Sequence, residues 1–167
     1  MQTINYMADA DRTAGGDFHA DMVSANTLLD AIAGVQAVSP AIDNIKKALF
    51  YGKVNDDLEF AKRVAEPRDY NVDVDLIHAV LGIYTEAAEL LELLGFQLAG
   101  EDVDRSKYLN EAGDGLWYNA LLFKHLETNF EEVGELNIAK LRKRFPVKFT
   151  SELAVNRDEA KENVVFD

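Results

Sequence analysis

The sequence predicts an all-α protein, and three observations carry that reading. Apolar residues recur at spacings of three and four in several long runs, which places them on one face of a helix. Strand-like alternation is scarce, and proline numbers only 3 in 167 residues. Hydrophobic residues make up 48% of the chain, enough for one buried core at this length. Four main helices in an antiparallel arrangement are the economical architecture. The expectation is an antiparallel four-helix-bundle core with extra N-terminal helical segments. Residues 1–20 read as an irregular arm, and residues 21–167 as a single domain.

Residues 1–19 are polar, include Gly15-Gly16 and show no periodicity. From 21 to 38 the series Val23, Leu28, Leu29, Ile32, Ala33, Val35 and Gln36 predicts a helix ended by Ser39-Pro40. Pro40 suits the first turn of a second, short helix over 41–51, which Gly52 would cap. A third segment over 56–65 stops at Pro67 and has no evident role. Residues 71–75 supply capping side chains for a long helix carrying Glu86 and Glu89. The stretch 95–104, with Gly95 and Gly100, holds a turn, and the next helix carries Glu111 and Asp114 and ends near Glu127. Thr128-Asn129-Phe130-Glu131 has the form of a capping box opening a last long helix through Phe145, which Pro146 ends.

The two acidic pairs organise the chain. Glu86-Ala87-Ala88-Glu89 and Glu111-Ala112-Gly113-Asp114 each place two acids at i, i+3 on one helix face. A short connection makes the two helices an αα-hairpin, with both pairs at about the same height. Glu86 shares its azimuth with Leu90, Leu93, Ile83 and Ala79, and Glu111 shares its own with Tyr108, Gly115, Tyr118 and Leu122, so both acids fall within apolar arcs. Glu89 and Asp114 lie at the arc edges. Unpaired carboxylates facing a core are costly, and four together repel. A divalent cation resolves both problems. With no Cys or His among the ligands it would be a hard one, Mg²⁺ with Mn²⁺ as a possible substitute. The bland alternative is a pair of solvated faces.

Composition narrows the function class. The chain has no cysteine, which removes disulfides, thiolate nucleophiles and zinc–sulfur sites and fits a reducing, cytoplasmic setting. No signal peptide is evident in residues 1–19, and no apolar run approaches the ~20 residues of a membrane span. A net charge of −13 disfavours polynucleotide binding. Within so acidic a chain, Lys140, Arg142, Lys143, Arg144 and Lys148 form the only concentrated basic cluster. Asn137, Lys140 and Arg144 share a helix face. They read either as a phosphate-binding row or as cations placed favourably at a helix C-terminus.

Acids, basic row and their order resemble the MazG-like nucleoside triphosphate pyrophosphohydrolases of the all-α NTP pyrophosphatase superfamily. The family pattern is E-x-x-E, an intervening stretch, then E-x-x-D. Here Glu86-x-x-Glu89 and Glu111-x-x-Asp114 match it, separated by residues 90–110. The flanking text, His78-Ala79-Val80-Leu81-Gly82-Ile83-Tyr84-Thr85 and Gly113-Asp114-Gly115-Leu116-Trp117-Tyr118, is similar too. So is Asn137-Ile138-Ala139-Lys140-Leu141-Arg142-Lys143-Arg144-Phe145-Pro146 to the family's N-x-x-K…R helix. Lys148-Phe149-Thr150 and Asn156-Arg157-Asp158 look like bacteriophage-type members, for which the setting would be the host cytoplasm. The chain departs from the pattern twice. Many relatives have a Glu where Thr85 stands, and the segment 46–53 resembles one that phage relatives place between the acidic pairs.

The resemblance implies hydrolysis between the α- and β-phosphates of a nucleoside triphosphate, giving the monophosphate and pyrophosphate. Glu86, Glu89, Glu111 and Asp114 would hold one to three Mg²⁺ ions, and Glu86 or Glu89 would accept the proton of the attacking water. Lys140 and Arg144 would grip pyrophosphate, Asn137 would orient sugar or phosphates, and Trp117 would either stack on the base or fill a subunit interface. Tyr118 and Phe123 read as core, His78 and His125 as packing or supporting residues, and Glu92 as solvated. The family associates as homodimers or homotetramers. A purine dNTP such as dGTP is slightly favoured as substrate, with dUTP open. Two other classes compete. One is a non-catalytic acidic interaction domain; the other, a ferritin-like di-iron bundle, wants Glu-x-x-His, which neither pair provides.

Overall fold

The computed structural model describes residues 6–13, 22–53, 72–156 and 158–165. Among these residues the secondary structure is entirely helical: α1 (Tyr6–Asp11), α2 (Ala25–Tyr51), α3 (Val74–Leu98), α4 (Arg105–His125), α5 (Phe130–Arg144), α6 (Ser151–Val155) and α7 (Glu159–Asn163). No helix among them is long and apolar enough to cross a membrane. The chain divides into two compact units, residues 21–127 and residues 1–20 with 128–167. The segment predicted over 56–65 lies outside the described residues.

In the first unit three long helices pack in sequence, α2 on α3 and α3 on α4. Ser24 opens α2 by accepting the Thr27 N–H at 3.1 Å. The helix then runs through Ser39-Pro40 without the predicted break. Pro40 has no N–H to donate and crowds the preceding turn, but side chains beside it tie the helix down. Ser39 Oγ donates back to the Val35 carbonyl at 2.9 Å and so receives the Tyr84 hydroxyl proton from α3 at 3.1 Å. Gln36 Nε2 donates to the Ala88 carbonyl at 2.7 Å. Tertiary anchoring thus outweighs the local preference for a stop. Gly52 caps α2 as expected, at φ 66°.

Helices α3 and α4 form the predicted hairpin. Asp73 caps α3 by accepting from the N–H groups of Asp75 (2.8 Å) and Leu76 (3.2 Å). Asp104 caps α4 through the Ser106 N–H at 2.7 Å. Side chains fix the antiparallel register at both ends. Tyr108 donates to Gln97 at 2.7 Å near the turn, while Lys124 meets Asp75 at 2.9 Å and His125 meets Asp73 at 3.3 Å at the open end. Midway, Tyr118 lies on Gly82 so closely that a Cβ there would stand 2.1 Å from its ring. The buried core of this unit comprises Ile32, Ala79, Ala88, Leu93 and Tyr118.

In the second unit α5 packs against α1 and α7. Asn129, rather than Thr128, is its cap, accepting the Glu132 N–H at 3.0 Å. Thr128 instead donates to the Glu132 carboxylate at 2.6 Å. Ile138 and Phe145 are buried. Residues 6–11, expected to be irregular, are helical because α5 holds them. Arg142 pairs with Asp9 at 2.7 Å, Tyr6 donates to Asn137 at 3.3 Å, and Arg12 donates to the carbonyls of Phe145 and Val147 at 3.1 and 2.9 Å. A six-residue helix is too short to persist alone, so these contacts decide its state.

Candidate metal centre and adjoining cleft

The hairpin register sets Glu86 across from Asp114 and Glu89 across from Glu111. Glu86, Glu89 and Glu111 each bring a carboxylate oxygen within 4.8 Å of the others. Their burial follows the azimuths read from the sequence: Glu86 is buried at 7% exposure, Glu111 is half-buried, and Glu89 and Asp114 are exposed. Asp114, expected as a fourth ligand, stands outside this trio and on the wall of an adjoining cleft. Its side chain is one methylene shorter than Glu. The Oε1 atom of Glu86 opposite is drawn toward Lys46 and Thr85 on the α2 side.

The electrostatics of the trio are those of a cage wanting a cation. Partial desolvation at the helix interface pushes the Glu89 carboxyl up to about 7 although much of the residue is exposed, reinforced by its hydrogen bond to Glu111 and by the charges of Glu86, Glu111 and Asp43. Burial also raises Glu86, against the opposing pull of Lys46 and the Thr85 hydroxyl, while Asp114 and Glu111 push the same way as burial. Without a counter-ion, a proton on Glu89 relieves the repulsion. A hard divalent cation satisfies the same oxygens with no proton, and the all-carboxylate donor set fits Mg²⁺ or Mn²⁺.

The cleft holds about 380 Å³ and is lined by Tyr51, Glu86, Asp114, Trp117 and Tyr118. It therefore has an acidic edge and an aromatic wall. Trp117 is 55% exposed and meets Tyr118 edge-on at 4.9 Å. Tyr118 is buried, as expected, and its hydroxyl lies 3.4 Å from that of Tyr51; burial and that contact raise its pKa. His78 stacks on Phe50 with ring centroids 3.9 Å apart. Burial, then Lys46, lowers its pKa, so it packs as a neutral ring. His125 pairs with Asp73 at the hairpin's open end. Phe123 is half-buried and Glu92 exposed.

Helix α2 contributes residues that the sequence reading did not single out. Lys46, only 4% exposed, places its Nζ 2.7 Å from Thr85 Oγ1, 3.4 Å from Asp43 Oδ1 and 3.6 Å from Glu86 Oε1. Asp43 also pairs with Lys47. The signal was present: Ile32, Gln36, Ser39, Asp43, Lys46 and Phe50 recur at alternating steps of four and three, the seam of a single helix. Breaking that helix at Ser39-Pro40 hides the seam. Only an unbroken α2 shows that its inward positions turn polar where they meet the acids.

The predicted basic row lies on α5, in the second unit. Asn137 and Lys140 are half-buried, and Asn137 accepts the Tyr6 hydroxyl. Arg144 directs Nε to Glu162 at 2.8 Å and Nη2 to the other oxygen of the same carboxylate, a two-pronged pair with a buried partner. Compared with protein-family profiles, with curated proteins and with solved structures, the chain has no match.

Proposed function

We propose that this protein is a Mg²⁺-dependent nucleoside triphosphate pyrophosphohydrolase of the MazG-like kind, cleaving between the α- and β-phosphates. One observation carries the reading: three carboxylates from two antiparallel helices converge within 4.8 Å beside a cleft with an aromatic wall. Glu86, Glu89 and Glu111 would hold the ion, with Asp114 reaching it through the cleft. When bound, the ion would neutralise the charge on the phosphates and on the attacking water. Glu86 or Glu89 would accept the water's proton. Trp117 offers an exposed ring for the base. By the resemblance, Asn137, Lys140 and Arg144 would be the phosphate and sugar contacts.

A purine dNTP such as dGTP is slightly favoured as substrate, with dUTP as the alternative. Assembly as a homodimer or homotetramer belongs to the same reading. Leu109 and Leu116 are each more than half exposed on α4, and burying them is the return on association. The decisive experiment incubates the protein with the eight common NTPs and dNTPs and Mg²⁺ or Mn²⁺. Monophosphate and pyrophosphate in equal amounts are expected. Release of orthophosphate, or no turnover of any nucleotide, overturns the reading.

A further inference from the structure

Behind the carboxylate trio sits a buried ammonium that the proposed reaction does not use. Lys46 Nζ faces Thr85 Oγ1 at 2.7 Å, Asp43 Oδ1 at 3.4 Å and Glu86 Oε1 at 3.6 Å, and lies 5.1 Å from the centre of the Tyr118 ring. A hydroxyl, two carboxylates and an aromatic ring are what a cation site presents, and here a side chain of α2 fills it. Thr85 has one hydroxyl proton, shared between the Gly82 carbonyl at 3.0 Å and Glu86 Oε1 at 3.2 Å. Its lone pair is therefore left for Lys46.

The consequence lies with Glu86, which belongs to both groups. Sites that hold two divalent ions space them roughly 3.5–4 Å apart, close enough for one carboxylate to give an oxygen to each. Glu86 is the acid placed to bridge, since it belongs to the trio with Glu89 and Glu111 and shares Lys46 with Asp43. Its Oε1 is already engaged by Lys46 and Thr85, which leaves Oε2 for an ion among the trio. We propose that Lys46 is a resident cation standing where a second divalent ion would otherwise bind, so that the cage accepts a single ion. Removing the ammonium frees Glu86 Oε1 and Asp43 Oδ1 together and opens a second position. This inference rests on the metal-site reading above.

The test counts Mn²⁺ bound per chain, by calorimetric titration and by paramagnetic resonance of the bound ion, with no nucleotide present. The intact protein is expected to bind one Mn²⁺ with the spectrum of an isolated ion. Lys46→Met is expected to bind two, with the broadening of a coupled pair, and Lys46→Arg, which keeps the charge, to bind one. Two ions in the intact protein, or one in Lys46→Met, overturns the inference and leaves the proposed function standing. No Mn²⁺ bound by the intact protein removes both. Should Lys46→Met fail to fold by circular dichroism, the same count on Lys46→Gln decides, two ions upholding the inference and one overturning it.

Discussion

At the scale of single residues, the acids divide by burial. Glu86 lies deepest and touches both the trio and Lys46. Under the proposed function, Glu86→Gln lowers turnover by about 10²-fold or more and weakens Mn²⁺ binding, read by nucleotide hydrolysis and calorimetry. Glu89 gives a pH signature instead. Its folded-state carboxyl is raised from 4.5 to about 7, so the folded chain prefers it protonated. The stability this provides is complete below the unfolded value and is lost as pH rises through about 7. In EDTA, Glu89→Gln should match the parent near pH 4.5 and exceed it above neutrality, measured as urea midpoints at each pH. Equal midpoints across that range would contradict the raised carboxyl.

At the scale of elements, the hairpin depends on one close approach and α2 on one tolerated irregularity. The Tyr118 ring occupies the space that any side chain at position 82 would need, with three ring atoms 2.1 to 2.3 Å from the Cβ position. Because this contact lies in the middle of the α3–α4 register, Gly82→Ala should cost about 1–3 kcal/mol and disturb the cleft as well as the core. Thermal melts and the near-ultraviolet signal of Trp117 would report the two effects separately. Pro40 is the opposite case. It sits in the interior of a helix and forgoes a hydrogen bond that the neighbouring anchors of Ser39 and Gln36 do not replace. Pro40→Ala is expected to raise the urea midpoint, by about 1–3 kcal/mol in stability. A drop would mean that the local geometry of α2 relies on the ring.

At the scale of the whole molecule, a net charge of −13 works against compactness. Raising NaCl from low to physiological strength shortens the screening length from about 30 to about 8 Å and should raise the melting temperature. Mg²⁺ at matched ionic strength should raise it further, by adding about 2.7 kcal/mol of stability at a hundredfold excess over its dissociation constant, and EDTA should reverse only that part. If Mg²⁺ and NaCl act alike at equal ionic strength, the acids bind no specific ion. Much of this organisation was legible in the chain. The all-helical class, the Asp73 and Gly52 caps, the α3–α4 hairpin and the convergence of Glu86, Glu89 and Glu111 follow from short-range rules: periodicity, capping chemistry and the rise of a helix. These act within a few residues and need no knowledge of neighbours. What only the tertiary structure decided is what neighbours supply. Ser39 and Gln36 carry α2 past its proline by reaching α3, α5 holds residues 6–11 helical, and Lys46 is delivered from α2 into the acids. The physical reason is the same in each case: a local preference worth a few kcal/mol yields when contacts between distant segments outweigh it.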